Sequence, residues 1–246
     1  MKIKDETVLV TGSNRGLGLA LARACLNAGA RRVYAGARNV QSLADLLAEG
    51  AGRVIPLSLD IGDSASVAAA AVAAPDVSVL INNAGVLASY GVLTSTAEQI
   101  GQDFAINCFA LLATSKAFLP ALERAGETGA AALVNVLSVV SLANMPGIGG
   151  YSAAKAAAYS LTQALRSELV KKRISVHAVL PGAIDTDMTR GMDMPKSSPE
   201  SVALAIIAGV EEGLPEILPD ATSRELFAIW RSDPKQLEQQ LAQMSG

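Results

Sequence analysis

Tyr151, Lys155 and Tyr159 recur at intervals of four in the stretch "GYSAAKAAAYSLTQAL", which begins at Gly150. On a helix that spacing puts all three on one face. A phenol beside an ammonium is proton-transfer chemistry. A free phenol titrates near pH ~10, and an adjacent cation favours its ionised form. Long helical side chains lean back toward the N-terminus, so Lys155 reaches toward Tyr151 and away from Tyr159. The expected reactive pair is therefore Tyr151 with Lys155, the lysine drawing the phenol down toward working pH, while Tyr159 packs.

A second chemical signal lies near the start, in "VLVTGSNRGLGLALARACLNAG". This reads as a strand, a glycine turn and a helix ending near Gly29. Gly12, Gly16 and Gly18 permit a tight turn and close approach of backbone to a bound group. The helix start behind them offers free N–H groups and a positive dipole end to a pyrophosphate. The spacing, G-x-x-x-G-x-G, differs from the common G-x-G-x-x-G dinucleotide fingerprint. Where an NAD-binding fold places an acid on the ribose 2′-hydroxyl, the second strand ends in Ala37 and Arg38, and Arg15 sits inside the turn. Two guanidiniums and no carboxylate suit a 2′-phosphate, so NADP(H) is expected over NAD(H). After the third strand, Asp60 is placed to accept from an adenine amino group with Ile61 against the ring. Asn82 and Asn83, before Ala84 and Gly85, can tie strand ends together.

These groups need a scaffold. β-Branched runs ("ETVLVT", "RRVYAG", "RVIPLSL", "VSVLIN", "AALVNVLS", "ISVHAVLPG", "EILP") alternate with helical patterns near 16–28, 40–48, 64–74, 96–124, 151–171 and 198–211. That alternation predicts an α/β fold of Rossmann type, a doubly wound seven-stranded parallel sheet with helices on both faces. One domain is expected over residues 1–246, with a substrate loop at about 186–200 and a tail at about 219–246 whose two short helical patterns flank Asp233-Pro234. Half of the 246 residues are hydrophobic and 4% aromatic, as buried parallel strands under close-packed helices require.

The net charge of −3 comes from interspersed acids and bases, which gives no footprint for nucleic acid. No apolar run is expected to span a membrane, and the N-terminus lacks the pattern of a signal peptide. Cys25 and Cys108 read as buried free thiols, in keeping with a reducing, cytoplasmic setting. His177, the one histidine, reads as a core residue, and no spacing suits a metal.

Taken together, "TGSNRGLG", "NNAG", "YSAAK" and "PGAIDT" resemble the short-chain dehydrogenase/reductase family, in its single-domain branch, up to about residue 190. In kind the chain is similar to NADPH-dependent carbonyl reductases. The resemblance implies catalytic roles for Asn107, Ser138, Tyr151 and Lys155, with Ser141 a nearby competitor of Ser138. It implies a cofactor site from Gly12, Asn14, Arg15, Gly16, Leu17, Gly18, Arg38, Asp60, Ile61, Asn83, Ala84, Gly85, Tyr151 and Lys155. Pro181, Gly182, Ile184 and Thr186 would meet the nicotinamide end.

The reaction so implied is hydride transfer between NADP(H) and an apolar aldehyde, ketone or secondary alcohol. Ser138 would bond the carbonyl oxygen, Tyr151 would act as general acid or base, and Asn107 would hold a water near the lysine. Met188, Met192 and Met194 suit a pliable lid. The small, apolar helices at 96–124 and 151–171 are expected to be buried in a homodimer or homotetramer. The rival reading is a dinucleotide-binding sensor without turnover, since fold alone does not establish catalysis. A sugar-nucleotide epimerase would need a larger C-terminal domain and another glycine spacing.

Overall fold

The computed structural model describes residues 1–129 and 131–243; the last three residues of the expected tail lie outside these. Seven parallel strands form one sheet: β1 (Thr7–Thr11), β2 (Arg32–Ala37), β3 (Val54–Ser58), β4 (Val79–Asn82), β5 (Ala131–Val136), β6 (Ile174–Val179) and β7 (Glu216–Ile217). Their order is β3-β2-β1-β4-β5-β6-β7. Central strands such as "TVLVT" and "AALVNV" are buried along their whole length, because helices cover both faces. β3 lies at an edge and is only partly buried, which lets it hold Pro56.

Nine α-helices surround the sheet in the described residues: α1 (Gly16–Asn27), α2 (Ala44–Glu49), α3 (Ser64–Ala73), α4 (Ala97–Phe104), α5 (Leu111–Glu127), α6 (Gly149–Leu169), α7 (Pro199–Glu212), α8 (Ala221–Ser232) and α9 (Pro234–Gln243). One apolar layer joins the sheet to α1, α2 and α7 through residues such as Leu21, Leu46 and Ile206. The opposite layer uses α3, α5 and α6 through Val67, Phe118 and Leu169. A third cluster roofs the ends of β5 and β6, where Leu226, Leu237 and Leu241 of α8 and α9 join Leu137, Val140 and Tyr159. The tail thus completes a core. Asp220 starts it by accepting from the Ser223 N–H at 2.8 Å.

The helix expected over 96–124 is interrupted. Thr96 and Gln99 form a capping box at its start, but Ala105–Ala110 is a π-helical turn between α4 and α5. By length and composition Ala97–Glu127 is long and apolar enough to cross a membrane, which departs from the expectation that no run is. Half of that apolar window is buried inside the fold, with Phe118 and Leu122 packed into the sheet layer, as a core helix would be. The pattern expected at 40–48 forms as a 3₁₀ turn, Val40–Leu43, followed by α2. Cys25 and Cys108 are buried and free.

His177 is buried on β6, with Nδ1 2.6 Å from the Leu214 carbonyl. A carbonyl only accepts, so Nδ1 carries the hydrogen, and Nε2 has no hydrogen-bond partner among the described residues. Burial holds this imidazole below its ordinary pKa. As pH falls through about 6.5, the unfolded chain takes up a proton that the folded chain resists, so stability declines toward acid. Denaturant midpoints should therefore fall between pH 7 and 5.5, and His177→Gln should flatten that slope, since the chain has no other histidine. An unchanged slope in the variant would contradict this.

Candidate active site

The strand order reverses direction between β1 and β4, and open α/β sheets bind ligands at the C-terminal edge beside that crevice. The glycine turn lies there. Gly12 and Gly16 have positive φ, +71° and +52°, which glycine adopts without strain. Gly18 is required for a different reason: a Cβ on it would lie 2.0 Å from the Gly12 carbonyl oxygen and 2.6 Å from Asn83 Nδ2. The turn, the first turn of α1 and the strand-four segment are therefore in direct contact.

Thr11 locks that contact. Its Oγ1 accepts from the Asn83 and Ala84 N–H groups, both at 2.9 Å, while Asn83 Nδ2 donates to the Thr11 carbonyl at 2.9 Å. Sequence reasoning passed over Thr11, although its place directly before Gly12 was a signal. α1 starts with no side-chain cap and no acid in its first turn, leaving N–H groups and a positive end for an anion. Asn14 and Arg15 are exposed at the turn, whereas Leu17 turns into the core, so only its backbone can serve a ligand. The cradle fits a dinucleotide pyrophosphate in shape and charge.

Arg38 is exposed after β2. Arg15 is ion-paired with Asp187 at 3.0 Å, a pairing the sequence did not suggest. Asp187 also pairs with Arg190. Thr186 crosses the turn as well, since a Cβ on Gly16 would be 3.1 Å from its Cγ2. Asp60 is half-buried; its Oδ1 accepts from the Gly62 N–H at 3.0 Å. Ile61 packs on the second apolar layer.

On the other side of the crevice, Tyr151 stands in the first turn of α6, which begins at Gly149. Lys155 Nζ lies 5.6 Å from the Tyr151 ring centroid and donates to the Val136 carbonyl at 2.9 Å. Tyr159 is buried in the third cluster, its hydroxyl 3.5 Å from Glu216. Lys155 leans toward Tyr151, as the helix direction requires. The ionisation differs from expectation. Burial, reinforced by the negative charge of Asp103, pushes the Tyr151 phenol above its ordinary pKa, and burial lowers Lys155 to about 8 despite Asp103. Desolvation dominates, so the phenol is held protonated.

Asn107 sits in the π-helical turn and is buried. Its Oδ1 accepts from the Val86 N–H at 3.1 Å and its Nδ2 donates to the Val86 carbonyl at 2.9 Å. A Cβ on Gly85 would be 2.8 Å from Asn107 Oδ1 and 3.7 Å from Lys155 Nζ, so Asn107, Gly85 and Lys155 converge. Neighbouring strands are tied as expected: Asn82 Nδ2 donates to Ser115 Oγ and Asn135 Oδ1, and Asn135 Nδ2 donates to Thr162 Oγ1, each at 2.9 Å.

β5 ends at Val136, and Ser138 caps the following 3₁₀ turn. Its Oγ accepts from the Val140 N–H at 3.3 Å and donates to the Pro181 carbonyl at 3.4 Å. Ser141 is buried, its hydroxyl unpartnered among the described residues. Gly182 N–H donates to Asp220 at 2.9 Å, so the start of the tail fixes the Pro181-Gly182 segment. Ile184 makes a bridge to Ser197, closing the base of the methionine loop, where Met188 is exposed and Met192 and Met194 half-buried. Among the described residues no cluster of three His, Cys, Asp or Glu is placed to hold a metal ion.

Residues 6–196 match the family model described as short chain dehydrogenase. The chain belongs to the short-chain dehydrogenase family. It is 34% identical over 200 residues to the short chain dehydrogenase TazN of Aspergillus terreus, a match covering 78% of this chain and 44% of that protein; the chain spans under half of that relative's length. A short chain dehydrogenase from Burkholderia cenocepacia J2315 solved in complex with NADP is 37% identical, with a TM-score of 0.91 over 98% of this chain and 99% of the other. A short-chain dehydrogenase from Sphingobium yanoikuyae in complex with NADPH is 30% identical, with a TM-score of 0.80 over 94% of each chain. The doubly wound parallel fold is that of this family.

Because the Gly18 position has no room for a methyl group, Gly18→Ala should destabilise this short-chain dehydrogenase by about 2 kcal/mol or more and abolish dinucleotide binding. Thermal melting with and without NADPH, alongside fluorescence titration of the cofactor, checks this. A variant that bound NADPH normally would contradict the close contact.

Proposed function

We propose that this protein is an NADP(H)-dependent oxidoreductase that reduces an apolar aldehyde or ketone, or oxidises the matching secondary alcohol, with Tyr151 as general acid or base. The observation that carries the reading is half-buried Tyr151 beside buried Lys155, with Lys155 Nζ 3.7 Å from where a Cβ on Gly85 would lie. NADPH, when bound, supplies the hydride. As negative charge builds on the carbonyl oxygen, Ser138 donates a hydrogen bond to it and Tyr151 gives it a proton. The Lys155 ammonium balances the phenolate left behind. Lys155 would also bond the nicotinamide ribose, Asn107 would hold a water near the lysine, and Pro181, Gly182, Ile184 and Thr186 would meet the nicotinamide end.

The cofactor preference rests on Arg15 and Arg38 and on the missing acid after β2. Both partners of the Arg15–Asp187 pair are substantially exposed, and such a pair is weak, so a 2′-phosphate can take Asp187's place. The apolar substrate class rests on the methionine loop and on Leu142, Met145, Ile148, Phe227 and Trp230, which like Tyr151 pack against the third apolar cluster. A homodimer or homotetramer in the cytoplasm completes the proposal, formed through the exposed face of α6, where Ala153 and Ala156 lie, and the π-helical turn with exposed Phe109. A stable monomer in sedimentation at micromolar concentration would argue against it.

Initial rates of NADPH and NADH oxidation over a panel of hydrophobic aldehydes and ketones test the function. NADPH should be preferred, Arg15→Ala and Arg38→Ala should each raise its KM by about tenfold, and Tyr151→Phe should lower kcat by on the order of 10²-fold or more. Reduction should hold its rate up to about pH 8 and fall above it, as Lys155 loses its proton. Faster turnover with NADH, or full activity in Tyr151→Phe, would overturn the reading.

A further inference from the structure

Asp103, on α4, is fully buried, forms no salt bridge among the described residues, and has no part in the mechanism above. A buried carboxylate is costly unless hydrogen bonds replace its water. Here they come from the loop after β4: Asp103 Oδ1 accepts from the Ala88 N–H at 2.9 Å, and Oδ2 accepts from the Ser89 N–H at 3.0 Å and from the Ser89 hydroxyl. Both carboxylate oxygens are used, which a neutral amide with one acceptor oxygen cannot match.

Ser89 in turn is packed against the start of α6. A Cβ on Gly150 would be 2.3 Å from Ser89 Oγ, and the neighbouring Gly149 N–H donates to the Tyr90 carbonyl at 3.1 Å. The next residue is Tyr151. An unbroken line of contact therefore runs from the buried carboxylate through Ser89 and Gly150 to the phenol.

We propose that Asp103 is a positioning residue for the proton donor, fixing Tyr151 through Ser89 and Gly150 and supplying a buried negative charge that acts on Tyr151 and Lys155. The proposal rests on the assignment of those two residues as the reactive pair. The elements packed there also carry Tyr90 on the loop, Glu98 on α4, Cys108 on the π-helical turn and Tyr159, Arg166 and Glu168 farther along α6, but Asp103 is the one whose charge acts on both members of the pair, and it favours the protonated form of each. Asp103 and Asn107 are one helical step of four apart in sequence, and they clamp the same loop at Ala88-Ser89 and at Val86. The first also sets charge, and the second is neutral.

The test follows Lys155 directly, without substrate. In the full-length protein labelled with ε-¹³C-lysine, the Lys155 resonance is assigned by its loss in Lys155→Arg and titrated by NMR. It should titrate near pH 8 in the parent, at lower pH in Asp103→Asn, and as in the parent in Ser89→Ala, which loses a hydrogen bond but keeps the charge. The alkaline limb of the reductase pH profile should move with it. An unmoved Lys155 titration in Asp103→Asn overturns the proposal whether or not the enzyme turns over. That separates it from failure of the functional reading, which would show as absent turnover in the parent. Gly150→Ala tests the positioning half independently, even where Asp103→Asn does not fold. It should lower kcat by on the order of tenfold with the KM for NADPH within about twofold, and a parental kcat would overturn it.

Discussion

The seam between β1 and β4 is the contact on which the rest of the site depends. Val8, Leu9 and Val10 pair in register with Val79, Leu80 and Ile81, which brings Thr11 beside Asn83 and Ala84 and the glycine turn over both. The tolerance is small, since Gly18 lies where a methyl group would overlap the Gly12 carbonyl. Every element that carries a functional side chain is measured from this seam. α1 leaves it on one side, and the loop from Asn83 leaves it on the other toward α4 and α6. If the two strands slipped by one residue, their side chains would exchange faces, and the cradle and the Tyr151–Lys155 pair would no longer face one crevice.

From that seam, position is passed outward by buried polar groups more than by apolar packing. Asn82, Asn135, Ser115 and Thr162 link β4 and β5 to α5 and α6. Asn107 and Asp103 hold the loop after β4, and Asp220 holds Gly182. Apolar contacts are non-directional, whereas a satisfied buried hydrogen bond fixes two groups to a few tenths of an ångström and penalises any other arrangement. The apolar layers supply the stability of this alanine-rich fold, and the polar links choose the geometry in which it is held.

Much of this was legible in the sequence because it rests on local periodicity. The alternation of strands and helices, the glycine turn and the four-residue register of Tyr151 and Lys155 all repeat at intervals that the backbone imposes. The π-helical turn at Ala105–Ala110 was not legible, because one extra residue in a turn leaves an apolar helical pattern almost unchanged. Nor was the reach of Asp187 to Arg15, which are 172 residues apart in the chain. The sequence predicts two short helices around Pro234 in the tail, but their place over β5 and β6 depends on Leu237 and Leu241 meeting a cluster drawn from four other segments.

The ionisation of Tyr151 and Lys155 shows where reading by motif stops. Spacing shows that an ammonium stands near a phenol, and in water that pairing lowers the phenol's pKa. The folded chain removes the water as well. Burial disfavours the charged form of both partners, raising Tyr151 and lowering Lys155, and Asp103 raises both. The outcome is a neutral phenol, its proton held more tightly than in water, beside an ammonium of reduced pKa. A buried carboxylate four residues before Asn107 thus acts on both groups, which the motif alone does not show. The chemistry of the pair belongs to the helix and its surroundings together.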